Sequence, residues 1–258
     1  MRIVTLVENT GCDPSLSVEH GLSLYIECCG KKILFDAGAT DAFVYNAQKL
    51  GVDLSAVELM VLSHGHADHS GGIAGFLQCN DHAPVYVSAH AFAGHFNAAG
   101  EDIGPDPALL DSGRLIFIRE PVTLAPELVL DCPQGPLGPV PLDTAGLQRW
   151  EKGALVPEDF RHEQYLLAVE NGCRVLFSGC SHRGIVNIAG YYQPDVLIGG
   201  FHFMKREPES LGPEAEALLS MPVRYYTGHC TGQAQYHWLK TRMADRLSYL
   251  STGSVLEI

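Results

Sequence analysis

No stretch of the 258 residues reaches the ~18 consecutive apolar positions of a membrane-spanning helix. No basic-then-apolar leader opens the chain either, because Met1-Arg2-Ile3-Val4-Thr5-Leu6-Val7 reads as a strand. These absences predict a cytoplasmic protein with no membrane partner. Positive charge is scarce: 17 Lys and Arg stand against 30 Asp and Glu, a formal net charge of -13. That balance argues against a nucleic-acid partner held by phosphate neutralisation. The eight cysteines are scattered, with no small secreted scaffold around them, so they read as reduced thiols and not as a disulfide framework. Internal repeats and low-complexity segments are also missing.

What is present is enough apolar residue, 46%, to build a sizeable core. The chain reads as a single domain over 1–258. Gly21 to Glu27 and Lys32 to Phe35 form strand-like runs around a turn at Gly30-Lys31, and Tyr165 to Val169 and Cys173 to Phe177 flank Asn171-Gly172, a strong hairpin signal. Val57 to Leu62 is a short apolar run consistent with a buried strand, and Asp195 to Ile198 and Val223 to Tyr226 read as two more. Helical composition covers Asp41 to Leu50, Gly71 to Gln78, Glu214 to Leu219 and Gln233 to Met243. From about 91 to 159 prolines break the pattern, which predicts an irregular insertion that roofs a site. The class expected is α/β, an αββα sandwich of two mixed β-sheets with helices on the outer faces.

Twelve histidines exceed the needs of an ordinary core, and the densest group follows the buried strand: His64-Gly65-His66-Ala67-Asp68-His69. Two imidazoles two residues apart converge on one ion, while Asp68 and His69, turned differently, reach a second. Three nitrogens and a carboxylate suit zinc or a similar borderline divalent metal. His229 follows an apolar strand and sits between Gly228 and Cys230, a ligand position at a strand end. His202, after Val196 to Gly200, ends another strand on the same rim, where it binds metal, donates a proton or orients substrate. His20 has the same options.

The run His64 to His69 resembles the signature of the metallo-β-lactamase superfamily. Ile33-Leu34-Phe35-Asp36-Ala37-Gly38 and Tyr226-Thr227-Gly228-His229 match its early strand-Asp-Gly element and its terminal strand-then-His ligand. Within it the chain looks closest to a group named after an archaeal dihydropterin-ribofuranosyl-aminobenzene-phosphate synthase. The likeness lies in Glu19-His20-Gly21-Leu22-Ser23, Gly179-Cys180-Ser181-His182, Gly184-Ile185-Val186-Asn187, Gly199-Gly200-Phe201-His202 and Thr227 to Gly232. The resemblance implies a dinuclear-type metal site in which Asp36 accepts the outer N–H of a metal-binding histidine. Where the superfamily places a bridging Asp after L-F-x-G, Leu176-Phe177-Ser178-Gly179 runs into Cys180. The thiolate of Cys180 or the imidazole of His182 is therefore the ligand there. The usual H-x-x-G-H-T-P-G-S segment is replaced by Arg161-His162-Glu163-Gln164, and His162 reads as a surface residue. His82, His90, His95 and His237 show no partner pattern.

Ser181-His182-Arg183-Gly184 is expected to open a helix whose free N–H groups, with Arg183, hold a substrate phosphate or carboxylate. The function expected is metal-dependent hydrolysis of an ester, lactone or phosphoester-type small molecule. One or two Zn²⁺ ions (Fe or Mn as alternatives) would acidify a bound water, Asp68 would hold metal and relay a proton, and His202 or His20 would serve the leaving oxygen. A synthase handling a pterin and a phosphate is the second reading. A non-catalytic metal and thiol sensor using Cys180 and Cys230 is the third.

Overall fold

A computed structural model describes residues Met1–Ile258. The first half of the chain supplies β1 (Arg2–Val7), β2 (Ser23–Cys28), β3 (Lys31–Phe35), β4 (Leu59–Val61), β5 (Val85–Ser88), β6 (His95–Phe96) and β7 (Leu115–Ile118), with helices α1 (Ala42–Lys49), α2 (Ala67–Ser70) and α3 (Ile73–Cys79). The second half supplies β8 (Val122–Ala125), β9 (Leu128–Asp131), β10 (Gln148–Glu151), β11 (Ala154–Pro157), β12 (Tyr165–Glu170), β13 (Cys173–Phe177), β14 (Val196–Ile198), β15 (Arg224–Thr227), β16 (Leu247–Tyr249) and β17 (Val255–Glu257). Helices α4 (Ile185–Tyr192), α5 (Gly212–Ser220) and α6 (Gln233–Met243) complete it.

Two seven-stranded mixed sheets face each other, in the orders β17-β1-β2-β3-β4-β5-β7 and β16-β15-β14-β13-β12-β9-β8. Each begins with antiparallel pairs and continues in parallel, from β3 to β7 in the first sheet and from β13 to β16 in the second. Strand alternation distributes the core. Ile33, Phe35 and Val61 of the first sheet meet Leu166, Val175, Phe177 and Ile198 of the second between the sheets. The intervening Leu34 and Met60 point the other way, onto Phe43, Ile73 and Phe76 of the helices. On the far side Leu176, Leu197 and Tyr225 pack against Ile188, Leu218 and Leu239. The layers are therefore helix, sheet, sheet, helix. The β12–β13 hairpin turns on Asn171 at φ 53° and Gly172 at φ 78°, the two left-handed positions of a type I′ turn.

The segment 91–159 differs from the irregular insertion expected. It contributes β7 to the edge of the first sheet, β8 and β9 to the edge of the second, and β6, β10 and β11 as a separate three-stranded sheet. These strands are two to four residues long, and Pro121 and Pro126 bracket β8 at the sheet edge, a position that tolerates proline because one side of the ladder needs no donor. Periodicity cannot register pieces that short. The longest stretch without regular structure is the Pro/Gly strap from 132 to 147, and its end, with Ile103 from the loop after β6, walls the cavity described next.

Candidate metal centre

The parallel strands end on a common rim, and the chemistry sits in the loops that leave it. After β4 the chain passes Ser63 and His64, then Gly65, where an added Cβ would overlap the Ala91 carbonyl, so only glycine fits there. His64, His66 and His69 are buried, while the Asp68 side chain keeps 27% exposure toward the cavity. Asp36, fully buried at the end of β3 with φ 59°, fixes two of these rings at once. Its Oδ2 accepts from His69 Nδ1 at 2.7 Å and from the Ser63 hydroxyl at 2.7 Å, and its Oδ1 accepts the Ser63 N–H at 2.7 Å. Having given its proton to Asp36, Ser63 Oγ accepts from His64 Nδ1 at 2.8 Å. A ring whose Nδ1 carries the proton presents a bare Nε2, so one carboxylate aims the lone pairs of both His64 and His69 into the centre.

The second sheet answers from three strand ends. Cys180 and His182 follow β13, His202 follows β14 and His229 follows β15. Ser181, His202 and His229 hold left-handed φ values of 57°, 57° and 48°, like Asp36 at 59°. Each costs a non-glycine residue roughly 1 kcal/mol, a cost that the surrounding contacts offset. His229 is oriented on its back by Asn9 Oδ1 at 2.9 Å, and its N–H donates to the buried carboxylate of Glu8, which also accepts from Tyr249 Oη at 2.9 Å. His229 Nε2 is therefore bare as well, and it lies 3.2 Å from His69 Nε2 and 3.2 Å from Asp68 Oδ2. Cys180 Sγ stands 3.1 Å from His69 Nε2, and His182 Nε2 stands 3.3 Å from His64 Nε2.

Five ligand-type groups have donor atoms within 4.8 Å of one another: His64, His66 and His182; His64, His69 and Cys180; His20, Asp68 and His229; Cys180, His229 and Cys230; and, to one side, His66, His95 and His162. The donor set fits a divalent cation. Burial pushes His66 down to about 3, and likewise holds His64 and His182 well below the ordinary imidazole value, so these rings are neutral and can donate lone pairs. Burial also opposes a charge on His69, yet Asp36 and Asp68 outweigh it and lift it to about 9. Burial would raise the Asp68 carboxyl, but His69, His229 and His66 hold it well below the usual carboxylate range. In metal-free protein His69 thus carries a second proton near neutral pH, on the Nε2 that faces Asp68 and His229, and a bound cation would replace that proton. His66 Nε2 and His182 Nδ1 are buried without any partner.

The residues read from the sequence fall into three groups. His64, His66, Asp68, His69, Cys180, His182 and His229 come together. His202 lies over His182 with ring centroids 4.2 Å apart, and burial, helped by Lys205, lowers it to about 4. His20 stays exposed at the mouth, its Nε2 3.6 Å from Asp68 Oδ2. Arg183 and Ser181 are arranged otherwise than expected. Arg183 is buried and donates to the carbonyls of Pro133 and Gly135, and Ser181 bonds Ser178 at 2.8 Å without capping a helix. The N–H groups of His182 and Arg183 donate to the buried Glu163 carboxylate at 2.8 and 3.1 Å. An internal anion fills the place expected for a substrate one. His162 is likewise fully buried and not on the surface, and it accepts the Gly65 N–H on Nδ1 at 2.9 Å. His95 is buried too, with Nδ1 2.9 Å from Glu158. Glu8, Asn9 and Ser63 were not singled out by the sequence. The polar triplet Glu8-Asn9-Thr10 at the end of the largely apolar strand β1 was the one available signal.

The centre floors a cavity of about 640 Å³ lined by Ile103, Ala145, Leu147 and Met204 on its apolar side and by Asp143, Lys205 and Arg206 near the rim. Arg206 is engaged with Glu214, leaving Lys205 as the rim cation without a carboxylate partner. A separate polar cavity of about 580 Å³ lies behind the strap and contains none of the centre's residues.

A family model described as the metallo-beta-lactamase superfamily matches residues 16–207. Over its whole length the chain is 27% identical to the 7,8-dihydropterin-6-methyl-4-(beta-D-ribofuranosyl)-aminobenzene-5'-phosphate synthase of Methanocaldococcus jannaschii, covering 96% of that protein. It superposes on the crystal structure of Tm1679, a metal-dependent hydrolase of the beta-lactamase superfamily, with a TM-score of 0.84 and 26% identity, over 100% of this chain and 99% of that one. Zn(2+)-bound PqqB from Methylobacterium extorquens shares the fold at a TM-score of 0.64 and 14% identity, each chain covered completely.

Proposed function

This chain belongs to the metallo-beta-lactamase superfamily, and on that premise we propose that it is a zinc-dependent hydrolase of a small anionic organic molecule. The observation that carries the reading is the meeting of His69 Nε2, His229 Nε2 and Asp68 Oδ2 within 3.8 Å of one another, both imidazoles being held from behind on Nδ1. A cation is the partner that such a set lacks. His64, His66 and His182 would hold one ion; Asp68, His69 and His229 would hold a second, with Cys180 beside both. Zinc fits because imidazole, thiolate and carboxylate are all its ligands. When bound, such an ion supplies Lewis acidity and makes water acidic enough to yield a nucleophile near neutral pH.

The chain's own residues do the rest. Asp68 stays ionised under its histidine neighbours and accepts a proton on Oδ2, from which exposed His20 at 3.6 Å can pass it to solvent. His202, neutral at pH 7, serves as a hydrogen-bond donor to a leaving oxygen. The two carboxylates and two cationic side chains in the cavity lining cancel, so bound ions leave a net positive field. That field, Lys205 at the rim and an apolar wall together favour an anionic ester or phosphoester on a flat apolar body. The strap residues Asp143 to Leu147 close one side against water.

The test is elemental analysis of the purified protein and of His66→Ala and His69→Ala, with a panel of phosphoester, lactone and thioester substrates. Both variants are expected to lose zinc and turnover together; normal zinc content in both would refute the assignment. The synthase reading is supported by the full-length likeness to the archaeal enzyme, and micromolar pterin binding would favour it over hydrolysis.

A further inference from the structure

The pentapeptide Phe160 to Gln164 occupies the place where the sequence departs from its superfamily, and three of its side chains reach in three directions. Gln164 donates through Nε2 to the Leu62 carbonyl at 2.6 Å and through its backbone N–H to the Ser63 carbonyl at 2.8 Å, so it grips the end of β4. His162 accepts the N–H of Gly65, the residue between His64 and His66, at 2.9 Å. Glu163 accepts the N–H groups of His182 and Arg183 at 2.8 and 3.1 Å, and Tyr165 Oη at 2.5 Å. All three side chains are fully buried. One short segment therefore holds the loop that leaves the first sheet and the loop that leaves the second.

The bond from Gly65 fixes the chemistry of His162. An Nδ1 that accepts a backbone N–H keeps its lone pair, so the proton sits on Nε2. That Nε2–H has no hydrogen-bond partner, and its nearest carboxylate oxygen, Glu158 Oε2, is 3.8 Å away. Glu158 is itself engaged with His95 Nδ1 at 2.9 Å and with the N–H groups of Asp159 and Phe160. His162 packs on His95 at 3.8 Å between centroids and stands 5.2 Å from His66. A ring nitrogen of His162 lies within 4.8 Å of ones on His66 and His95, but its Nδ1 lone pair is taken by the Gly65 N–H and its Nε2 carries the proton, so it is built to position a neighbour and not to hold an ion.

We propose that His162-Glu163-Gln164 is a positioning brace that sets the separation between His64 and His66 on one loop and His182 on the other. Its function rests on the reading of these three histidines as one ion's ligands. His162 and Glu163 act through backbone N–H groups, so they place the ligands without touching the ion or the substrate. Neither contact requires the brace residues to titrate.

The two imidazole nitrogens can be separated by substitution. His162→Asn keeps an acceptor where Nδ1 stands, His162→Gln keeps a polar group where Nε2 stands, and His162→Phe keeps only the ring. Zinc affinity is read by chelator competition on the full chain and the site's geometry by the visible spectrum after cobalt substitution. Amide exchange at Gly65 is followed in metal-free protein. Expected for Gln and Phe is a loss of roughly tenfold to a hundredfold in affinity for one of two ions, the scale of outer-sphere changes at metal sites. A shifted cobalt spectrum and faster exchange at Gly65 should accompany it, while Asn stays within about threefold of the native protein. A Gln variant that matches the native protein while Asn does not would overturn the proposal, as would three variants that all match it. Absence of zinc from the native protein would instead refute the metal reading. Gly65 exchange rates ranked Asn below Gln would then still support the brace, and equal rates would refute it.

Discussion

Asp36 is where a single atom's change should separate folding from metal binding. In Asp36→Asn the amide keeps the shape and tolerates the φ of 59°. It offers one acceptor and one donor where the carboxylate offers two acceptors to three donors, the Ser63 N–H, the Ser63 hydroxyl and His69 Nδ1. With its oxygen toward Ser63 N–H, the amide nitrogen faces His69 Nδ1, which must give up its proton. His69 then carries the proton on Nε2 and has no lone pair for an ion. With the oxygen toward His69, the amide nitrogen faces the Ser63 N–H instead. Either way one buried donor goes unpaired, at about 1–3 kcal/mol. By contrast Asp36→Ala orphans three donors, a loss on the order of 3–9 kcal/mol that rivals the whole stability of a domain. The Asn variant is therefore the informative one. It should fold with a modestly lowered Tm and bind zinc about tenfold to a hundredfold more weakly. Because His64 is set through Ser63, both ions should weaken. Thermal unfolding of metal-free protein and equilibrium zinc titration against a chromophoric chelator read the two effects separately. Two zinc equivalents held at native affinity by Asp36→Asn would refute the tautomer argument.

Gly65→Ala should destabilise by about 1–3 kcal/mol in urea unfolding, because its methyl group meets the Ala91 carbonyl and the loop must shift. Metal-free protein should lose stability as pH rises: the folded pKa of His69, about 9, lies above its unfolded value near 6.5. The contribution is thus complete below about 6.5 and lost through about 9, and zinc-loaded protein should lack this alkaline loss in pH-dependent unfolding. Lys205→Ala should raise KM for a phosphoester about 1.5-fold to fivefold with kcat unchanged, the scale of an exposed ion pair. KM for a neutral ester should not move. Zinc removal by chelator should lower Tm reversibly, as expected when a ligand present at 1,000 times its Kd contributes about 4 kcal/mol.

The two sheets and the ligand loops were legible because short apolar and β-branched runs stop at turn residues and because His64 to His69 concentrates donors within six residues. The hairpin at Asn171-Gly172 was legible for a local reason too, since both positions need φ above zero. The short strands from β6 to β11 were not, because pieces of two to four residues carry no period. His162 was misread as a surface residue because a histidine among Arg161, Glu163 and Gln164 looks solvated. Its burial comes from pairing with Gly65, 97 residues away, which no local pattern encodes. The same reason misled the reading of Arg183: the N–H groups of His182 and Arg183 were expected to open a helix, but they lie in the turn before α4, which starts at Ile185, and the carboxylate that satisfies them is Glu163, 20 residues before Arg183.

Each of the proposed ions takes ligands from both sheets: His64 and His66 with His182, Asp68 and His69 with His229. A bound ion is then a rivet through the rim of the sandwich, joining layers that meet by apolar contact along their inner faces and are tied at this rim by hydrogen bonds such as those from Gln164 to the Leu62 carbonyl and from His229 N–H to Glu8. Metal loss would leave the strands intact and loosen the seam, so the protein would fail by splaying at its mouth before either sheet melted. Metal supply would in that way govern the mechanical integrity of the molecule as well as its chemistry, and a demetallated chain would offer a protease its first openings at the loops after β4, β13 and β15.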